Sequence, residues 1–199
     1  MLHVPSQALY ISRNQIGDAG VTALAEACAR GALLQCQVLE LQRNKIGDVG
    51  ITALAKAIKP VSEGGSGALP QCQVLSLWGN QIGDAGITAL ADACGSAALA
   101  NCQVLYLHEN QIGDAGITAL AQAIKPVSEG GSGALSQCKQ LLLSSNQIGD
   151  AGITALASAC VSGALDHLQQ LCLDGHSFSD ETKDTMKTAM AKSGGHVFF

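Results

Sequence analysis

Five asparagines, Asn14, Asn44, Asn80, Asn110 and Asn146, recur at intervals of 30, 36, 30 and 36 residues, each inside nearly the same phrase. The phrase is L-x-L-x-x-N-x-I-G-D, as in Leu39, Leu41, Asn44, Ile46, Gly47 and Asp48, and His176 follows the last asparagine by another 30 residues. A period in this range constrains the chain more than any single residue does. One such unit is too thin to bury its apolar face alone and has to stack on its own copies. The expectation is one elongated domain over residues 1–199, built of six strand–helix repeats, rather than two globular units.

One repeat supplies the rest of the architecture. Cys36-Gln37-Val38-Leu39-Glu40-Leu41 alternates as a short strand does, with Leu39 and Leu41 inward. Asn44 ends the strand. Its amide has two donors and an acceptor, enough to satisfy turn backbone in adjacent layers, so the five asparagines are read as a structural ladder and not as ligand contacts. Ile51, Leu54, Ala55 and Ile58 then recur at helical spacing. Asp48 is placed as the N-cap of that helix, and Gly50 as the point where helix and strand approach closely. The same reading makes Asp18, Asp84, Asp114 and Asp150 caps, not a row of catalytic carboxylates. Strand, turn and helix repeating in one order require parallel strands with the helices on one side. The fold class is therefore an α/β solenoid, a horseshoe with a parallel β-sheet on its concave face and helices on its convex face.

Composition narrows the functions open to such a scaffold. Aromatic residues are 3 % of the chain against 47 % hydrophobic, so the core is made of small aliphatic side chains. A net charge of −5 gives no basic footprint for nucleic acid, and no apolar run approaches a membrane span. Met1 to Ile11 lacks the organisation of a secretory signal. Cys36, Cys72, Cys102 and Cys138 share one register position, and Cys28, Cys94 and Cys160 share another where two repeats have Ile58 and Ile124. A position that takes Cys or Ile is a core position, so these are expected to be buried free thiols without metal, and Cys172 alone falls on an exposed position. Reduced core thiols favour a cytosolic or nuclear home, and a cytoplasmic location is the expectation. No cofactor is implied. The segment Lys59 to Leu69 returns unchanged as Lys125 to Leu135 and is rich in glycine, but it lacks the G-K-[ST] ending of a phosphate loop.

The phrases Leu75 to Gly86 and Leu105 to Gly116 resemble leucine-rich repeats of the ribonuclease-inhibitor-like class, which includes the repeat regions of NOD-like receptors and of the Ran GTPase-activating protein. The resemblance covers about residues 5 to 192 and implies the horseshoe fold. It implies little about partners, because the class serves many. A regulator of a small GTPase, or the sensor part of a larger receptor, is the alternative it suggests to a plain binding scaffold. No functional residue of that regulator maps onto a motif here.

The ends differ from the middle. Residues 177–199 are expected to form a polar cap helix and tail, with Lys183 where Ile153 would be and Met186 and Met190 on the inner face. His176 stands in the asparagine position of this last repeat. At the start, Leu9 and Ile11 already hold strand positions with no helix before them. A bare strand edge there means either a longer array or self-association through that edge.

Variation is concentrated in three columns on the concave side. The position between the two leucines reads Tyr10, Glu40, Ser76, Tyr106, Leu142, Cys172, and the position after the second reads Ser12, Gln42, Trp78, His108, Ser144, Asp174. The next reads Arg13, Arg43, Gly79, Glu109, Ser145, Gly175. Both tyrosines and the one tryptophan fall here. Such aromatics are either idle cross-strand stackers or interface anchors, and the second reading is favoured because the scaffold around them is constant. Trp78, Tyr106 and His108 are the expected centre of a contact with a protein partner, Glu40, Arg43 and Glu109 its polar rim, and Tyr10 an outlying member. His108 and Glu109 could move protons, but no nucleophile stands beside them and an open sheet excludes little water. No catalytic residue is assigned, and the chain is not read as an enzyme.

Overall fold

The protein is described by a computed structural model over residues 7–60, 67–126 and 134–199. Strand β1 (Ala8–Tyr10) leads into helix α1 (Gly17–Ala29), β2 (Val38–Glu40) into α2 (Asp48–Ile58), and β3 (Val74–Ser76) into α3 (Asp84–Gly95). Then follow β4 (Val104–Tyr106), α4 (Asp114–Ile124), β5 (Gln140–Leu142), α5 (Asp150–Val161), β6 (Gln170–Cys172), α6 (Asp180–Ala191) and β7 (His196–Phe198). The strands form one parallel sheet in chain order, β1 to β7. Leu9, Leu39, Leu75, Leu105, Leu141, Leu171 and Val197 share a single register line. Each helix packs on the next, as stacking of near-identical layers requires.

The core runs as a continuous seam between sheet and helices. In the second repeat Leu39, Leu41, Ile46, Ile51, Leu54 and Ile58 are all fully buried, and the equivalent residues repeat this along the array. Each such side chain contributes about 1.5–3 kcal/mol through burial. Seven of the eight cysteines join this core as free thiols, and Cys172 is half-buried. The thiols of Cys36, Cys72, Cys102 and Cys138 donate to the carbonyl two residues on, within 3.2–3.5 Å. Burial pushes Cys102 and Cys138 up to about 12, and Cys28 and Cys160 up to about 11.

Asparagine side chains bind neighbouring layers together. Asn80 Oδ1 accepts from the N–H of Asn44 at 2.9 Å and of Ile46 at 3.1 Å, while its Nδ2 donates to the carbonyls of Leu77 and Leu41. Asn44, Asn110 and Asn146 make the same kind of bridge, while the Asn14 side chain donates locally to Ser12 O and its backbone N–H donates to Asn44 Oδ1. His176 takes the place with different chemistry. Its Nε2 accepts from Asn146 N at 3.2 Å, which leaves Nδ1–H to donate to Leu173 O at 2.7 Å.

The aspartates depart from the sequence reading. None of Asp18, Asp48, Asp84 or Asp114 caps its own helix. Each turns its Oδ1 to the following repeat and accepts two backbone N–H groups at the start of the next helix. Asp48 takes those of Gly83 (2.7 Å) and Gly86 (2.9 Å), and Asp18, Asp84 and Asp114 do the same one repeat before and after. The helix dipole is met, but by the neighbour's charge. Gly50, expected to ease a helix–strand approach, instead makes room for this carboxylate: a Cβ there would lie 2.7 Å from Asp18 Oδ1. The series ends at Asp150, which accepts from Ser179 N at 3.0 Å. Among the described helices α6 alone has a side-chain cap of its own, Ser179 Oγ accepting from Thr182 N.

The C-terminal tail carries a strand of its own. After α6 it adds the seventh strand, pairing β7 with β6 and placing Phe199 edge-on to Phe178. The glycine-rich segments fall mainly on residues 61–66 and 127–133, outside those described.

Candidate functional site

The columns of variation lie on the sheet face that carries no helices. Glu40, Ser76 and Tyr106 are paired neighbours in β2, β3 and β4. Parallel pairing continues past the strand ends, where Arg43 N–H donates to Trp78 O and Gly79 N–H to His108 O. Gln42, Trp78 and His108 therefore stand abreast as a second row. Neighbouring strands are about 4.8 Å apart, which suits face-to-face ring contact.

The side chains use that spacing. Trp78 and His108 stack with centroids 5.0 Å apart and planes 11° from parallel. Tyr106 meets His108 edge-on at 6.0 Å, and its hydroxyl lies 3.4 Å from Gln140 Oε1. A cation also lies over the Trp78 ring, with Arg43 Cζ 4.4 Å from the ring centroid. The Arg43 Nη2 reaches Glu109 Oε2 at 3.5 Å, across the intervening strand. Such a cation–π contact contributes about 0.5–1 kcal/mol at an exposed site. Arg43, assigned to the rim from sequence, thus lies in the stack itself.

Backbone geometry makes this reach feasible. Arg43 and Glu109 both adopt left-handed conformations, φ 56° and 54°, and splay away from the sheet as the chain turns. Between them Gly79, at φ 65°, carries no side chain, and a Cβ there would lie 2.8 Å from Arg43 Cγ. The gap at Gly79 is what lets Arg43 cross. It was visible in the column but has no chemistry to attract notice.

The remaining assignments fall less centrally. Glu40 accepts from Gln42 Nε2 at 3.1 Å beside the stack. Tyr10 stands on the edge strand β1, 63 % exposed and two strands from Ser76, apart from the cluster. His108 is held below its usual value of 6.5 chiefly by burial; Glu109 opposes that shift and Arg43 adds to it. The neutral imidazole is therefore the favoured form. Three polar atoms in this patch, Gln42 Oε1, Ser76 Oγ and His108 Nδ1, are buried without a hydrogen-bond partner among the described residues. Sequence reasoning placed Gln42 and Ser76 in the columns and gave them no role.

Among the described residues no cluster of His, Cys, Asp or Glu could hold a metal ion, and no helix is long and apolar enough to cross a membrane. A leucine-rich repeat family model matches residues 7–25, 37–55, 73–91, 103–121 and 139–157. Each match spans a strand, its asparagine turn and the first turns of a helix. Among solved structures an internalin from Listeria monocytogenes is similar over 89 % of this chain, at 22 % identity and a TM-score of 0.53. The chain spans only 36 % of that structure, and at such identity the likeness bears on the fold alone. No curated protein matches the chain.

Proposed function

We propose, for a chain built as a leucine-rich-repeat solenoid, that it is a non-catalytic scaffold whose concave face binds a protein partner around Trp78, Tyr106 and His108. One observation carries this reading. The first five repeats are near copies in core and turn, and the aromatic residues that break the repetition gather on one face, where Arg43, Trp78 and His108 stack on one another. Aromatic and arginine side chains supply much of the binding energy at protein interfaces. The ribonuclease-inhibitor-like subclass is the finer assignment, supported by a helix of 11 to 13 residues in every repeat. A reducing compartment such as the cytoplasm suits eight free thiols. Affinity capture from native extract tests the reading. The parent chain should retain a specific protein that the Trp78→Ala variant loses, and equal capture by both sinks it. Stimulated GTP hydrolysis across a panel of small GTPases would replace it with the regulatory alternative.

A further inference from the structure

Gln42 Oε1, Ser76 Oγ and His108 Nδ1, the buried side-chain polar atoms left without partners among the described residues, surround one ring. Gln42 and His108 flank Trp78 in its row, and Ser76 lies two residues before it on the same sheet face, only 2 % exposed. Native interiors rarely leave such atoms unmatched, so three in one patch call for a ligand or a partner group. All three can accept a hydrogen bond, His108 Nδ1 doing so in the neutral ring. Two carboxylates stand beside them, Glu40 in register with Ser76 and Glu109 at the end of the Arg43 reach. The unmatched hydrogen-bonding capacity of the patch is thus for accepting.

The group already resting there shows what shape fits. The Arg43 guanidinium lies 4.4 Å from the Trp78 centroid and 3.5 Å from Glu109 Oε2, held by an ion pair whose members are 45 % and 48 % exposed. An exposed pair at that distance is weak and readily exchanged. We propose that the concave site recognises an arginine side chain on the partner, and that Arg43 is an internal stand-in which the incoming guanidinium displaces. This rests on the concave face being the binding face. A guanidinium is flat, carries five N–H donors in a fixed fork, stacks on an aromatic face and pairs with carboxylates two bonds at a time. It can lie on Trp78, turn one edge to Glu109 or Glu40, and offer its other N–H groups to the unmatched acceptors. A lysine ammonium carries the charge without the flat face. An acidic segment could pair with Arg43, but it would leave the three acceptors unmatched and approach a chain of net charge −5.

The test uses the full chain and its one tryptophan, Trp78, as the reporter. Emission is followed while capped tri-arginine, tri-lysine and tri-glutamate peptides are added at constant ionic strength. Tri-arginine should change the emission saturably and bind several-fold more tightly than tri-lysine, on the order of fivefold, because only arginine stacks and forks. Arg43→Ala should tighten tri-arginine binding by about threefold or more, since the internal competitor is gone. Glu109→Gln should weaken it. Equal, non-saturating responses to arginine and lysine would mean general charge attraction and overturn the proposal, as would silence with all three peptides. Saturable binding of tri-glutamate that vanishes in Arg43→Ala would also overturn it, while leaving a binding concave face in place. That broader reading fails on a separate result, capture of the natural partner equally by the parent and Trp78→Ala.

Discussion

Asp48 belongs to one repeat and serves the next: its Oδ1 lies 2.7 Å from the N–H of Gly83, at the mouth of a helix it is not part of. With Gly86 N at 2.9 Å, one carboxylate oxygen holds two amides, and a Cβ on Gly86 would press to 2.7 Å from that same oxygen. Repeats are thus joined at their helix starts by charge and at their strand ends by asparagine.

Asp48→Ala should cost about 1.5–3 kcal/mol in chemical denaturation, the range for hydrogen bonds to a charged group. Gly86→Ala should destabilise as well, by crowding the carboxylate. Because both changes act on one contact, the double variant should lose less than the sum of the two. Strict additivity would mean that the aspartate and the glycine do not act as a pair.

The asparagine bridges make a graded prediction. Asn110 donates from Nδ2 to Leu77 and Leu107 and accepts from Ile82, all buried, so Asn110→Ala should cost about 1–3 kcal/mol by stranding those groups. His176 accepts from Asn146 alone and is half-buried, so His176→Ala should cost less. Thermal melts of the two variants decide it, and an Asn110→Ala melt equal to the parent's would remove the bridge from any account of stability.

Binding and folding should separate on the two sides of the sheet. Trp78→Ala should weaken partner binding by about 2 kcal/mol or more while barely moving the melting curve. Leu90, buried between layers, should behave in the opposite way, and Leu90→Ala should remove about 2–5 kcal/mol of stability by leaving a cavity. Unfolding of Trp78→Ala would make the stack a packing feature.

His108 offers a pH test. Its folded-state value lies below 6.5, with burial as the main cause, so the folded chain resists taking up the proton that the unfolded chain accepts. The stability tied to the neutral ring is therefore complete above about pH 6.5 and is lost as pH falls through the lowered folded value. In an NMR titration Arg43→Ala should raise the His108 midpoint by removing a nearby positive charge, and Glu109→Gln should lower it further. Identical midpoints in all three proteins would mean that neither charge senses the ring.

Much of this molecule is legible in its repeat period. The spacing of Leu39, Leu41, Asn44, Ile51 and Leu54 specifies strand, turn and helix within one unit, and identical units can satisfy their cores only by stacking in parallel. The same alignment isolates the columns holding Trp78, Tyr106 and His108, because a strand's alternation tells which side chains leave the core. What the period does not carry is how one layer meets the next. Asp48 has good capping chemistry for its own helix, and only the offset between stacked helices turns it to Gly83 instead. The tail after α6 has no asparagine phrase, and it becomes β7 because β6 offers an unpaired edge. Arg43 reaches Glu109 over Trp78 because Gly79 leaves a gap and both turns are left-handed. Local periodicity is written in neighbouring residues, whereas these contacts join residues 26 to 66 positions apart and depend on geometry that exists only once the layers are stacked.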